Sequence, residues 1–218
     1  MPQPSAPAYL RLVALGAAIG IPAALLAAGF LALAHELQHW LWHDLPDALG
    51  YPSPPWFLVL GLPAVGALIV VVARTFLPGD GGHSPLDGLR SAPTPVAHAA
   101  GIALAALGTL GFGAVLGPEA PVIALGSAVG MALTRFVRLG PQGTTVLASA
   151  GSFSAISALF GGPIVAGMLL VEGGLGMGAA LLPALLPGLV AAAVGYLIFI
   201  GLGDWAGLNA PGLVVPNL

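Results

Sequence analysis

The sequence contains two apolar stretches that are each long enough to cross a lipid bilayer, residues 10–34 and 56–76. About 20 mainly apolar residues span the hydrocarbon core as a helix. Hydrophobic residues make up 58% of the chain and charged residues only 6%, which is far less charge than a soluble domain of this length carries. We therefore predict an all-α integral membrane protein that crosses the cell membrane several times.

The few charged residues exclude several functions. The five basic residues are all arginines and the formal net charge is −3, so the sequence offers no basic surface for nucleic acid. The chain has no cysteine, which rules out disulfides and cysteine-ligated metal sites. No cofactor is implied by the remaining residues.

Glycine and proline cut the rest of the apolar sequence into shorter segments. We expect a polar N-terminal segment (1–8), a membrane domain (9–203) and a tail (204–218) that is truncated before a second half. After the two long spans, the patterns predict further helical segments at 85–92, ~95–116, 119–136, 143–160, 163–172 and ~175–200.

The breaks between these segments indicate a pathway through the membrane. Irregular backbone is tolerated at membrane depth only where it is buried in protein or lines a wet cavity. Broken helices there direct their N-terminal amides and positive dipole ends at anions. The pattern therefore predicts a path for an ion or a small solute, with anions favoured at the exposed helix N-termini.

One carboxylate, Glu119, lies within this apolar sequence and is expected in the first turn of a helix. A charged side chain at membrane depth is costly and indicates a function. The free amides of a helix N-terminus stabilise a carboxylate, and they stabilise a small anion equally well. Glu119 and an anion can therefore compete for one position, and protonation would release the side chain. The alternative interpretation is that Glu119 only caps its helix.

Two motifs carry a resemblance to a known family. The sequence from Gly113 to Gly126, with Gly117-Pro118-Glu119-Ala120-Pro121 at its centre, resembles the Gly-Lys/Arg-Glu-Gly-Pro signature of the CLC chloride channels and chloride/proton exchangers. Phe160-Gly-Gly-Pro163, followed by an apolar run to Glu172, resembles the family's Phe-Asn-Ala-Pro…Glu-Glu segment. The resemblance runs from about Leu10 to the C-terminus.

The resemblance implies the first inverted-repeat half of the CLC fold, with broken and re-entrant helices. It implies chloride transport by a voltage- or pH-gated channel or by a chloride/proton antiporter, and no enzymatic activity. Family members contain two such halves, so the resemblance leaves open a fragment, a partner half on another chain, or a dual-topology homodimer of halves. The expected partners are chloride or other small anions, protons, membrane lipid, and a second copy or a missing half.

The resemblance also assigns roles to individual residues. It makes Glu119 the gating glutamate, with Pro118 in place of the family's basic residue and Ala120 in place of a glycine. It places Gly82 where the family has an anion-coordinating serine, so that Ser84 would have to substitute for that hydroxyl. The implied anion-binding residues are Gly81, Gly82, His83, Ser84, Pro85, Gly117, Pro118, Ala120 and Pro121.

Glu172 is the candidate for a proton pathway. Ungapped matching from Pro163 aligns Glu172 with the first of the family's paired glutamates, and Gly173 then takes the position of the second, which carries protons in exchangers. This difference favours conduction over exchange. A carboxylate that simply faces water at a helix end is the alternative interpretation of Glu172.

A second motif competes with the transporter interpretation. His35-Glu-Leu-Gln-His39 matches the HExxH pattern, in which two histidines on one helix face bind zinc and the glutamate, here Glu36, acts as general base. An intramembrane zinc metalloprotease is therefore one alternative, although no motif for a third ligand follows. A helix end at the membrane interface explains the same residues without metal. A non-conducting or fragmentary membrane subunit is the other alternative.

Overall fold

The structure, a computed structural model, describes residues 6–79, 93–137, 139–174 and 181–201. Its α-helices in chain order are α1 (Ala6–His39), α2 (Leu45–Ala48), α3 (Trp56–Phe76), α4 (Ala99–Leu110), α5 (Glu119–Thr134), α6 (Pro141–Phe160), α7 (Pro163–Gly174) and α8 (Leu181–Gly201). A π-helical turn, Trp40–Asp44, joins α1 to α2, and a 3-10 turn, Val96–His98, precedes α4. The predicted segments at 85–92 and 204–218 lie outside the described residues.

Within the described residues, four helical stretches have the length and hydropathy of membrane spans, namely Ala6–Ala48, Trp56–Phe76, Pro141–Phe160 and Ala184–Gly201. The apolar helices Val96–Leu110 and Glu119–Thr134 are shorter. Short helices therefore lie between long ones, as expected for helices that are broken within the membrane.

Glycine and proline set the ends of the broken helices. α6 begins with Pro141 in its first turn, where the missing N–H is harmless, and ends at Gly161, which adopts a left-handed φ of 71°. α4 ends at Leu110, whereas the sequence predicted a helical segment over ~95–116. The structure therefore corrects the predicted end at residue 116. Gly113 has a φ of 95°, which a helix cannot accommodate, so the chain leaves the helical path before residue 116.

Four helices, α1, α5, α6 and α8, pack around a core of small and aliphatic side chains. Gly126 and Gly151 let α5 and α6 approach backbone to backbone, because a β-carbon at either position would collide with the other's carbonyl. Gly20 allows the same close approach between α1 and the Ala191 carbonyl of α8. Such contacts are how membrane helices associate when the hydrophobic effect does not drive them together.

Buried hydroxyl groups add polar contacts to this core. Ser154 of α6 donates to the Gly20 carbonyl of α1 at 2.7 Å, and Ser152 donates to the Ile123 carbonyl of α5 at 3.0 Å. The remaining helices pack at the periphery. α3 packs against α4, where Gly66 meets the Gly108 carbonyl, and α7 packs against α6 and α8.

Candidate functional site

The loop between α4 and α5 is exposed on the described bundle. Val115 is fully exposed and Leu116 is 63% exposed, although both are apolar. The start of this loop is anchored by Trp42, whose indole N–H donates to the Gly111 carbonyl at 3.0 Å. The loop therefore begins at a fixed point and leads, through irregular backbone, into the first turn of α5.

The first turn of α5 presents backbone amides that make no intrahelical hydrogen bond. Val122 donates the first bond of the turn, to the Pro118 carbonyl at 3.0 Å. The amides of Glu119 and Ala120 precede that bond, and the prolines at 118 and 121 carry no N–H. Two amides at the positive end of the helix dipole therefore remain available to an anion.

The Glu119 side chain folds back toward the start of its own helix. A β-carbon placed on Gly117 would overlap the Glu119 carboxyl group, so the carboxyl lies directly against the Gly117 backbone. Glu119 and Ala120 are both exposed, whereas Pro121 is buried at the root of the turn. The carboxylate thus occupies the space in front of the helix N-terminus while remaining accessible from outside the bundle.

The structure places one group of the predicted anion-binding residues together. Gly117, Pro118, Ala120 and Pro121 surround Glu119 in the loop and the first turn of α5. The other group, Gly81, Gly82, His83, Ser84 and Pro85, lies outside the described residues. The expected second helix N-terminus at that loop stays a prediction.

Glu172 lies apart from this turn, in the last turn of α7. It is exposed and lines a groove of about 640 Å³ between α7 and α8, whose other walls are apolar: Ile164, Gly167, Met168, Val171, Leu185 and Leu189. The groove was not expected from the sequence, because it depends on how α7 packs against α8.

The structure also shows buried polar groups beside α5 that sequence analysis missed. The Thr94 amide donates to the Ser127 hydroxyl at 3.0 Å, and both residues are buried. Among the described residues, the hydroxyls of Thr94 and Ser157 are buried without a hydrogen-bond partner. A serine in the middle of the apolar part of α5, at Ser127, was the signal in the sequence.

The HExxH residues occupy the exposed C-terminal end of α1. His35, Glu36 and His39 are all exposed, and His39 lies beside the π-helical turn that follows. The part of the chain that the structure describes contains no group of three or more metal-ligating side chains. The third protein ligand that a catalytic zinc requires is therefore not supplied by the described residues.

Comparison with known proteins identifies the family. The sequence pattern of the family described as "Voltage gated chloride channel" matches residues 83–211, more than half of the chain. The chain belongs to the voltage-gated chloride channel family. This match confirms the family resemblance of the Glu119 and Phe160–Pro163 motifs, both of which lie inside the matched region.

Relatives of this chloride channel family member have names that refer to ion transport. A protein from Salmonella newport (strain SL254), named "Putative ion-transport protein YfeO", is 34% identical over 158 residues, which are 69% of this chain and 37% of the relative. A protein of the same name from Salmonella agona (strain SL483) matches to the same extent. The chain thus spans little more than a third of the length of these relatives.

A solved structure confirms the predicted fold class. The crystal structure of a slow cyanobacterial Cl−/H+ antiporter superposes with a TM-score of 0.65 at 17% sequence identity, covering 91% of this chain and 48% of that one. The chloride channel family member is therefore an all-α integral membrane protein with about half of that fold. None of these comparisons favours the zinc metalloprotease or the non-conducting subunit.

Proposed function

We propose that this chain forms part of a chloride-transport pathway in the cell membrane, gated by the Glu119 carboxylate. The observation that carries the proposal is the position of that carboxyl, folded over Gly117 at the start of α5. Membership of the voltage-gated chloride channel family and the antiporter-like fold support anion transport. The activity is transport of an ion and involves no catalytic step.

The gate follows from electrostatics at one helix end. The amides of Glu119 and Ala120 stabilise one negative charge, supplied either by the carboxylate or by a chloride ion. Two anions in that space would repel each other, and the same two amides cannot stabilise both charges at once. Chloride therefore enters when the carboxyl swings away, and protonation favours that movement because the neutral acid loses its attraction to the amides.

The exposed edge beside the gate offers a surface for a second membrane unit. Val115 and Leu116 are apolar and exposed on irregular backbone, and a packed partner would bury both side chains. We propose that a second membrane unit covers this edge and completes the pathway. That unit is either a second copy of this chain, which makes a homo-oligomer, or further sequence that corresponds to the second half of the fold.

The protonatable groups near the end of α7 bear on whether the activity is conduction or exchange. An exchanger needs a second protonatable group that delivers protons to the gate from the opposite side, and Glu172 is the candidate in this chain. The following residue is Gly173, which carries no titratable group. We therefore propose passive conduction as the main activity, and a chloride/proton antiporter as the second candidate. Proton movement coupled to a chloride gradient would establish the antiporter.

Chloride efflux from proteoliposomes that contain the chain tests the gate. Glu119→Gln removes the negative charge with little change in shape, so it should raise efflux at neutral pH and remove its pH dependence. Glu36→Gln is the matched control, because Glu36 is also exposed but lies at the end of α1. Efflux in Glu119→Gln that equals wild type at every pH would remove Glu119 from the gate. Efflux no faster than from empty liposomes would contradict transport by the chain itself.

A further inference from the structure

The π-helical turn at the end of α1 brings together side chains that a regular helix would separate. The Leu45 amide bonds to the Trp40 carbonyl, a bond between residues five apart, which is the π-helical pattern. In an α-helix, residues five apart point in clearly different directions. In the π-helical turn, the Nδ1 atom of His39 lies 3.5 Å from the Oδ1 atom of Asp44.

A second imidazole lies beside the first. The rings of His39 and His43 have their centroids 5.0 Å apart and are tilted by 31°. Both histidines and Asp44 are exposed, so an ion from water can reach them. Paired histidines on one helix face are a common ligand arrangement for transition metals.

Asp44 orients the first imidazole for binding. Its carboxylate lies on the Nδ1 side of the His39 ring, so Nε2 is the nitrogen that remains open to a metal ion. Carboxylates beside metal-binding histidines commonly fix the direction of the ring.

We propose that His39 and His43 form a two-histidine binding site for a divalent transition-metal ion, oriented by Asp44. Imidazole nitrogens suit copper, nickel and zinc, and such sites bind Cu2+ most tightly of the divalent first-row metals. Zinc–nitrogen distances of about 2.0–2.1 Å require the two exposed rings to rotate until a nitrogen of each points at the same ion. Water completes the coordination, so the ion exchanges readily.

This site differs from the HExxH motif in the residues that it uses. The motif pairs His35 with His39 across a regular α-helical turn, whereas the proposed site pairs His39 with His43 across the π-helical turn. The ring contact and the carboxylate contact both belong to the second pair. His35→Ala is therefore a matched control, since it removes an exposed histidine from the same face without changing the proposed ligands.

Binding of Cu2+ to the purified full chain in detergent tests the site. We expect one Cu2+ per chain, with two-nitrogen coupling in the electron paramagnetic resonance spectrum. His39→Ala and His43→Ala should each lose that signature, Asp44→Asn should weaken binding, and His35→Ala should bind as wild type does. Circular dichroism of each variant checks that the helices remain folded.

Three outcomes would overturn the proposal. They are an unchanged signature in His43→Ala, loss of binding in His35→Ala, or no two-nitrogen species in the wild-type protein. The second outcome would assign the metal to the HExxH pair instead. This measurement does not depend on chloride movement, so its result is independent of the proposed transport function.

Metal at this site also has a predictable effect on transport, and this part rests on the proposed function. Trp42 lies within the same π-helical turn and bonds to the loop that leads to Glu119. A metal ion bound by both His39 and His43 would restrict motion of the turn. Because Trp42 lies in that turn, it would also restrict motion at the start of the loop. We expect Zn2+ to slow chloride efflux in wild type and to have no such effect in His43→Ala. Unchanged wild-type efflux in Zn2+ would contradict this coupling even where Cu2+ binding is confirmed.

Discussion

Trp42 donates its indole N–H to the carbonyl oxygen of Gly111 at 3.0 Å, across 69 residues of sequence. The same ring lies against Gly113, where φ is 95° and any β-carbon would collide with the indole. One aromatic side chain therefore connects the end of α1 to the loop that carries Glu119, and it holds the sharp turn at which α4 ends.

Loss of that hydrogen bond should change the gate without unfolding the protein. Trp42→Phe keeps an aromatic ring against Gly113 but removes the N–H, which leaves the Gly111 carbonyl without that donor. We expect altered pH dependence of chloride efflux, since the start of the loop is less firmly held. Trp40→Phe is the control, because Trp40 is 53% exposed in the same turn. Equal efflux profiles for the two variants would contradict a role for the contact.

Gly117→Ala should displace the Glu119 carboxyl while leaving its charge in place. The new methyl group would occupy the position that the carboxyl now holds. We expect efflux at neutral pH to rise toward that of Glu119→Gln. Gly162→Ala is the matched control, since a β-carbon there meets nothing within 4 Å. If Gly117→Ala retains the wild-type efflux and pH profile, the carboxyl does not need that space.

Gly151→Ala should destabilise the bundle. The added β-carbon would collide with the Gly126 carbonyl, and α5 and α6 would have to move apart. Overpacking of this kind costs about 1–3 kcal/mol. Thermal unfolding in detergent measures the loss, and Gly29→Ala serves as control because its β-carbon meets nothing within 4 Å. Equal unfolding temperatures for the two variants would show that the close contact is dispensable.

Ser154→Ala should have a smaller effect on stability. The Ser154 hydroxyl is fully buried and donates to the Gly20 carbonyl at 2.7 Å. Hydrogen bonds between membrane helices contribute about 0.6 kcal/mol on average and up to about 1.7 kcal/mol. Thr75→Ala is the control, because the Thr75 hydroxyl is exposed and bonds within its own helix. A Ser154→Ala protein as stable as Thr75→Ala would remove this bond from the packing of α1 on α6.

Single cysteines can show whether the loop between α4 and α5 lines a water-filled pathway. The natural chain contains no cysteine, so each variant carries one reactive thiol without background. Val115→Cys should react with a water-soluble maleimide in proteoliposomes, whereas Leu60→Cys should not, because Leu60 is exposed on the apolar span α3. Slower labelling of Val115→Cys in high chloride would support proximity to the anion. Equal labelling of both variants would contradict the pathway.

Some of the fold could be predicted from local sequence. The length of the apolar runs predicted α1 and α3, and Pro118 before Glu119 predicted a helix that begins at the carboxylate. The structure places Glu119 in that first turn, while its role as a gate stays a prediction. The division into a membrane domain at 9–203 and a tail at 204–218 also stays a prediction.

Other features could not be predicted because they depend on tertiary contacts. α4 ends at Leu110, just before Gly113 turns the chain against the Trp42 ring. Trp42 and Gly113 are distant in sequence, so local patterns could not indicate this end. The π-helical turn at Trp40–Asp44 contains no glycine or proline to indicate it. The groove beside Glu172 exists only once α7 has packed on α8.

Contacts between main-chain atoms also determine which positions of this architecture can accept substitutions. Where Gly126 meets Gly151, and where Gly20 meets the Ala191 carbonyl, the spacing of the helices is set by atoms that every amino acid shares. Side chains on the outer surfaces can then drift through evolution without shifting the helix axes, provided that the few crossing points keep their small residues. A mutational scan should accordingly find intolerance concentrated at these crossings and wide tolerance along the outward face of α3.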